Sequence, residues 1–263
     1  MKFTLKQEKL QEMLEKLMLK NVFPSCVLTT RPYGLLSIQK DPHARALRLL
    51  KCQKGYFETF EGEEEETIEI ADMEQLLGLV KRYTPGQTIK CYTEGNMMHL
   101  EMKKEDGRKR KSKVPLQEPE EVIKEVPFNK NEDGDPQIGK EEEAMVVLDK
   151  KIDINLQDFR DIIDFTNPLK TEFYKFITED GKMNIRVGDL TENSADTVEE
   201  MNCKMLKGDF LEVIFAFGIT QIAESFTQEN FRVRTNTHSP GWFFEGDKTY
   251  TLGVLLPPFT SEE

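Results

Sequence analysis

Apolar residues fall at helical spacing in two places that are similarly framed. Leu10, Met13, Leu14 and Leu17 recur at i, i+3, i+4 and i+7, which predicts an amphipathic helix just after a short strand, Lys2–Leu5. The second half reopens in the same order. Met145–Leu148 and Ile152–Ile154 read as strand and lead into a helix carrying Leu156, Phe159, Ile162 and Ile163. Both helices give way to short alternating stretches, Gly34–Gln39 and Met183–Val187, which read as strands. A second helix is expected in each half. Asp72 is a suitable N-cap for Met73, Leu76, Leu77 and Val80, and the Tyr83–Gly86 stretch with Pro85 stops it. Its counterpart is Phe210–Phe217, apolar on nearly every side. Two strands should follow each second helix: Thr88–Tyr92 with Met97–Met102, and Phe231–Thr235 with Thr249–Leu256. The pattern predicts an α+β chain of two similar halves, each with two helices on antiparallel sheet.

Between the halves the chain changes character. Pro115, Pro119, Pro127 and Pro136, a run of acids and the turn-forming stretch Asn131–Pro136 block a helix. They predict an extended connector followed by a flexible acidic loop. The expected division is a first half at 1–116, a connector and acidic loop at 117–143, and a second half at 144–263. The 263 residues suffice for two such domains, and 38% hydrophobic residues suffice for real cores. No apolar run is long enough for a membrane span. The expectation is therefore a soluble intracellular protein.

Charge then changes the picture. The net charge of −12 argues against a nucleic-acid partner only if it is evenly spread. It is not: residues 1–116 hold 21 Lys+Arg against 17 Asp+Glu, and the remainder is strongly acidic. Cys26, Cys52, Cys91 and Cys203 are scattered, as are His43, His99 and His238, so neither a disulfide framework nor a metal site can be read. No cofactor is expected.

Several segments together resemble the proliferating cell nuclear antigen type of sliding clamp, over essentially the whole chain. Gly34–Leu49 is similar to the family's strand, Asp-Pro turn and following strand. Gly55–Phe60 resembles the aromatic segment before its acidic loop. Val122, Ile123, Val126 and Pro127 lie where its interdomain loop lies, and Tyr250–Pro258 resembles its C-terminal strand. The resemblance implies a DNA clamp fold and a head-to-tail ring, usually a homotrimer, with helices facing a central hole. Double-stranded DNA would pass through without sequence recognition. A DNA polymerase, the clamp loader, a nuclease or a ligase would dock by peptides on the outer face. The protein would sit with the DNA, in nucleus or nucleoid.

Sliding calls for sequence-blind cations on the hole-lining helices. Lys9, Lys16 and Lys20 recur at i, i+7 and i+11, Lys81 and Arg82 end the second helix, Arg160 projects from the third and Lys170 follows it, and Lys207 precedes the fourth. The plainer reading of each is a solvated charge, with cations favoured near helix C-termini. Partner docking would fall, by position in the family, to Ala44, Arg45, Leu47, Val122, Ile123, Val126, Pro127, Pro240, Val254, Leu256 and Pro257, with Lys40 and His43 nearby. For Leu47 and Val254 simple core packing is the competing reading. The basic run Lys109, Arg110, Lys111 and Lys113 reads as a localisation signal, a solvated hairpin end, or one side of a subunit interface. In the last reading Glu192, Asp196, Glu199 and Glu200 supply the other side. Between Gly188 and Phe210 there is room for only a compressed version of the family's two strands.

An enzyme is not expected. Glu63–Glu66 and Glu141–Glu143 do not converge on one ion, because neighbours in a strand point to opposite faces. No nucleophile elbow, phosphate-binding loop or zinc-protease motif is present. The alternatives left open are a subunit of a checkpoint-type or hetero-oligomeric clamp ring and, further off, a metal-dependent nuclease.

Overall fold

The first helix begins where the alternation of β1 (Lys2–Lys6) gives way to 3.6-residue periodicity, and α1 spans Gln7–Met18. Its predicted stripe is the buried one: Leu10, Met13, Leu14 and Leu17 are each at most 1% exposed. It ends in three consecutive left-handed residues, Leu19, Lys20 and Asn21. The computed structural model describes residues 1–43, 45–62, 64–104, 106–126, 128–138, 146–166, 173–179, 182–188, 196–201, 203–208 and 211–259, with 179 and 196–200 as backbone only. No helix among them is long and apolar enough to cross a membrane.

The chain forms two compact units. The first comprises residues 1–41, 48–124 and 246–252. After α1 come β2 (Cys26–Arg31), β3 (Gly34–Lys40), β4 (Leu47–Gln53), β5 (Thr59–Glu61) and β6 (Thr67–Ile70). Then follow α2 (Met73–Val80), β7 (Thr88–Glu94), β8 (Met97–Lys103) and β9 (Lys109–Gln117). The strand order is β4-β3-β2-β6-β9-β8-β7-β1-β5, with antiparallel pairing from β3 through β5. Asp72 caps α2 as expected, its carboxylate accepting from Gln75 N at 2.7 Å. Arg48 is fully buried, with its guanidinium 4.6 Å from the Phe23 ring centre and donating to Ser37 Oγ at 2.7 Å.

The second unit comprises residues 42–47, 125–245 and 253–263. It opens on β10 (Phe128–Lys130), β11 (Pro136–Ile138) and β12 (Val146–Val147), a small antiparallel sheet of its own. Next come β13 (Lys150–Asn155), α3 (Leu156–Thr166), β14 (Tyr174–Glu179), β15 (Lys182–Gly188), β16 (Asp196–Glu200) and β17 (Cys203–Lys207). The chain ends with β18 (Glu212–Phe215), α4 (Ile219–Ser225), β19 (Asn230–Thr235), β20 (Gly241–Gly246) and β21 (Tyr250–Leu256). Strand orders are β17-β13-β19-β20 and β16-β15-β14-β18.

The element orders of the two units coincide. From β1 to β9 and from β13 to β21 each runs strand, helix, five strands, helix, three strands. The pairings coincide too. β1 lies between β5 and β7, and β13 between β17 and β19; β2 lies between β3 and β6, and β14 between β15 and β18.

Four expectations are corrected. Phe210–Phe217 is not the fourth helix: Leu211, Val213 and Phe215 are buried while Glu212 and Ile214 are half-buried, the alternation of a strand. Gly218, with φ of 81°, turns the chain and α4 follows. A third terminal strand, β20, lies between the two expected in the second half. The space between Gly188 and Phe210 holds both β16 and β17 rather than a compressed remnant. The flexible loop expected around Asn131–Pro136 is a β10–β11 hairpin, and the turn expected at that stretch is there, closed by Asn131 and Asp135 and by Gly134 at φ of 80°.

Candidate nucleic-acid interface and docking surfaces

Both helices of a unit pack their apolar stripes on sheet, which leaves their polar sides as the helical surface. In the first unit Lys9 is exposed, its Nζ 5.4 Å from the Tyr56 ring centre. Lys81 is half-exposed and pairs with Glu15 at 3.2 Å, and Arg82 is exposed. Glu8 and Glu74 accompany them in exposed positions. In the second unit Asp161 and Asp164 are exposed on α3, and Glu224 on α4. The helical surfaces therefore carry at least as many acids as bases.

Apolar side chains gather on the sheet of the second unit. Gly253 sits under Trp242 so closely that a Cβ there would lie 2.1 Å from the indole. Phe128 of the β10–β11 hairpin packs edge-on to Trp242 at 4.8 Å. Pro240 is half-buried and Pro257 exposed. Arg45 stacks on Phe217 at 4.0 Å. In the first unit a cavity of about 320 Å³ is bordered by Ser25, Gln39, Lys40, Gln117 and Ile123, and Lys40 reaches Glu121 at 3.5 Å.

Two strands keep an open edge. β9 pairs with β8 from Lys109 to Pro115, whereas β6 covers only Leu116 and Gln117 on its other side. Among the described residues its second edge is unpaired from Lys109 to Pro115. β16 pairs with β15 alone and ends its sheet. On β9, Lys109 and Lys111 flank Glu101 at 2.9 and 3.3 Å. Hydrogen bonding from Lys109, then Lys111, holds the Glu101 carboxyl below the usual carboxylate range.

Solved structures with the same arrangement are consistent in kind. Proliferating cellular nuclear antigen from Entamoeba histolytica superposes with a TM-score of 0.79 at 12% identity, over 98% of either chain. The same protein from A. fulgidus, solved with the C-terminal region of FEN-1, gives 0.74 at 17% identity over 100% of this chain and 99% of that one. The PCNA2–PCNA3 complex from Sulfolobus tokodaii gives 0.76 at 15% identity, over 98% and 99%. The chain has the fold of proliferating cell nuclear antigen. No family model matches the sequence, and no curated protein does.

Within this clamp fold several expected contacts are spent elsewhere. Lys16 is only 2% exposed: its ammonium donates to Tyr250 Oη at 2.7 Å, pairs with Glu12 at 3.0 Å and lies 4.0 Å from the Tyr250 ring centre. It ties α1 to the first residues of β21 and is not a surface charge. Lys20 is exposed but lies beyond the end of α1, in the left-handed turn, because the helix stops at Met18. Arg160 is half-buried and donates to the carbonyls of Ala223 and Phe226, both at 2.7 Å, so it caps the C-terminus of α4. Lys207 does not lead into the fourth helix, since β18 lies between them; it stands on β17 and pairs with Asp135. Lys170 lies outside the described residues.

The expected docking residues divide similarly. Val254 and Leu256 are fully buried and Leu47 is 8% exposed, so these three are core. Val122 is exposed, and Ile123 and Val126 half-buried. Ala44, Pro127 and Glu192 lie outside the described residues, as do the side chains of Asp196, Glu199 and Glu200. Sequence reasoning did not anticipate the contact between Phe128 and Trp242, which is 8% exposed. The aromatic content of β20 was the available signal. Among the described residues no group of three or more His, Cys, Asp or Glu could hold a metal ion.

Proposed function

We propose that this chain is one protomer of a head-to-tail DNA sliding clamp, most simply a homotrimer, that encircles duplex DNA and docks replication and repair enzymes. The observation that carries the reading is the duplicated strand–helix–five strands–helix–three strands order, with an open basic edge at β9 and an open edge at β16 whose sequence is acidic. An open edge is a template for another strand, and edges of opposite charge favour head-to-tail pairing over like-to-like pairing. On this reading Lys109, Arg110, Lys111 and Lys113 face Asp196, Glu199 and Glu200 of the next protomer.

Helical surfaces with acids among Lys9, Lys81 and Arg82 support a particular kind of DNA engagement. Equilibrium affinity for duplex grows with the number of phosphates neutralised. With few free cations, holding DNA depends on encirclement rather than on attraction. Docking of enzymes by peptide segments, as the FEN-1 segment binds the A. fulgidus clamp, would use the Pro240, Trp242 and Val126 region. The protein itself has a scaffolding role without catalysis, and acts wherever the DNA is. Analytical ultracentrifugation tests the assembly: a species of three protomers is expected, and a monomer at all concentrations would overturn the homotrimer.

A further inference from the structure

The sheet face of the second unit that turns away from α3 and α4 carries a cation cluster that the clamp reading does not use. Strand register places two rows across β17, β13 and β19. The first row is Lys207, Lys151 and Arg234; the second is Lys204, Asp153 and Arg232. Side chains of directly paired residues share a face, and neighbouring strands are about 4.8 Å apart. Like charges abreast at that spacing repel. The first row therefore needs an anion, and the fold supplies one. Asp135, in the turn of the β10–β11 hairpin, is only 4% exposed and pairs with Arg234 at 3.0 Å and with Lys207.

That carboxylate does not exhaust the cluster. In the second row Asp153 engages Arg232 at 3.5 Å. Lys151 and Lys204 form no ion pair among the described residues, and Arg232 and Lys207 remain about half exposed. The equivalent face of the first unit is balanced by contrast: Lys2 pairs with Glu61 at 2.7 Å and Lys6 with Glu58 at 3.5 Å. On this sheet face the second unit thus carries a cationic surplus, in a chain whose net charge is −12.

We propose that this face binds an extended acidic peptide of a partner protein, with Asp135 as the built-in carboxylate that it displaces. The two rows are two residues apart along β13 and β19, about 7 Å, and a bulge brings Lys204 and Lys207 of β17 into the same rows, so glutamates or aspartates at alternate positions of an extended peptide reach one row each. Charge-assisted pairs with carboxylates are the chemistry already present in the first row. The interleaved Asp153 favours a peptide with spaced carboxylates over a continuous polyanion.

The test uses the full chain and a fluorescein-labelled peptide, Gly-Glu-Gly-Glu-Gly-Glu-Gly, followed by fluorescence anisotropy at low salt. Asp135→Asn removes the competitor and leaves Arg234 and Lys207 free. It should bind the peptide about tenfold tighter, the change that one charge-assisted hydrogen bond is worth. The double variant Lys204→Glu/Arg232→Glu alters only exposed positions and should lose binding at least about tenfold, while a cooperative unfolding transition, lowered by a few degrees at most because Asp153 loses Arg232, shows that it is folded. Lys2→Glu/Lys90→Glu, on the equivalent face of the first unit, should bind as the parent does. Displacement of Asp135 is read from Trp242, whose emission should shift red as the peptide saturates, because Phe128 of the hairpin covers it. Unchanged binding by Lys204→Glu/Arg232→Glu would overturn the site, and no gain for a folded Asp135→Asn would overturn the competition. Displacement of the peptide by oligothymidylate of equal charge at a lower concentration would overturn the peptide as ligand. None of these readouts depends on ring closure or on DNA passing through it.

Discussion

Replacing Lys16 with methionine separates a structural cation from a DNA contact. Methionine keeps the packing volume and removes the charge. Left behind are the buried Tyr250 hydroxyl, which loses its donor at 2.7 Å, and Glu12, which is 41% exposed and can take water instead. Losing a hydrogen bond to a charged group costs about 1.5–3 kcal/mol, and losing the cation–π contact about 0.5–2 kcal/mol. Against this, an ammonium no longer has to be desolvated, which returns part of the loss. A net destabilisation of about 1–2 kcal/mol is expected, or a fall of about 3–6 °C in thermal midpoint for a protein of this size. Differential scanning calorimetry measures the midpoint. The salt dependence of duplex binding should stay the same, because no phosphate contact is lost. An unchanged midpoint with a log K against log salt slope reduced by about one would refute the buried tie and return Lys16 to the DNA.

Other consequences follow from single features. Burial pushes the Cys52 thiol up to about 12 and Cys203 up to about 11, and raises Cys26 and Cys91. At pH 8 the native protein should therefore release little thionitrobenzoate from Ellman's reagent, and all four cysteines should react in guanidinium. Hydrogen bonding from Lys207, with the charges of Lys207 and Arg234, holds the Asp135 carboxyl below its usual value. Its stabilisation is present above the unfolded value of about 3.9 and is lost as pH falls through the lower folded one. An acid titration should thus expose Trp242 below about pH 4, and Asp135→Asn should remove that component. Lys109→Glu/Lys111→Glu places three acids together with Glu101 on the open edge of β9. Sedimentation should shift toward monomer, and an unchanged oligomer would remove the edge-charge account of ring register.

The helices with a single apolar stripe, α1 and α3, were legible because their buried residues are set by local periodicity. The same holds for α2, whose cap is a local contact between Asp72 and Gln75. Phe210–Phe217 misled because an apolar run broken only by Glu212 shows no clear period, and pairing with β14 makes its centre a strand. Lys16 misled for a different reason. Its spacing from Lys9 is helical, but its environment is set by Tyr250, 234 residues away. Arg160 is likewise claimed by carbonyls on α4 that no local pattern announces. The cation rows on β17, β13 and β19 were invisible because strands distant in sequence meet there. Asp135 looked like a loop acid until those strands gave it partners.

Encirclement is the claim on which the functional reading rests, and DNA topology tests it directly. The protein is loaded onto nicked circular plasmid with its cognate clamp loader, passed over a sizing column at high salt, and then challenged by linearising the plasmid. The account predicts that the protein stays with circular DNA through the salt wash, because screening weakens phosphate contacts without opening a ring, and leaves when the DNA acquires ends. Equal loss from circular and linear DNA, or equal retention on both, would contradict it.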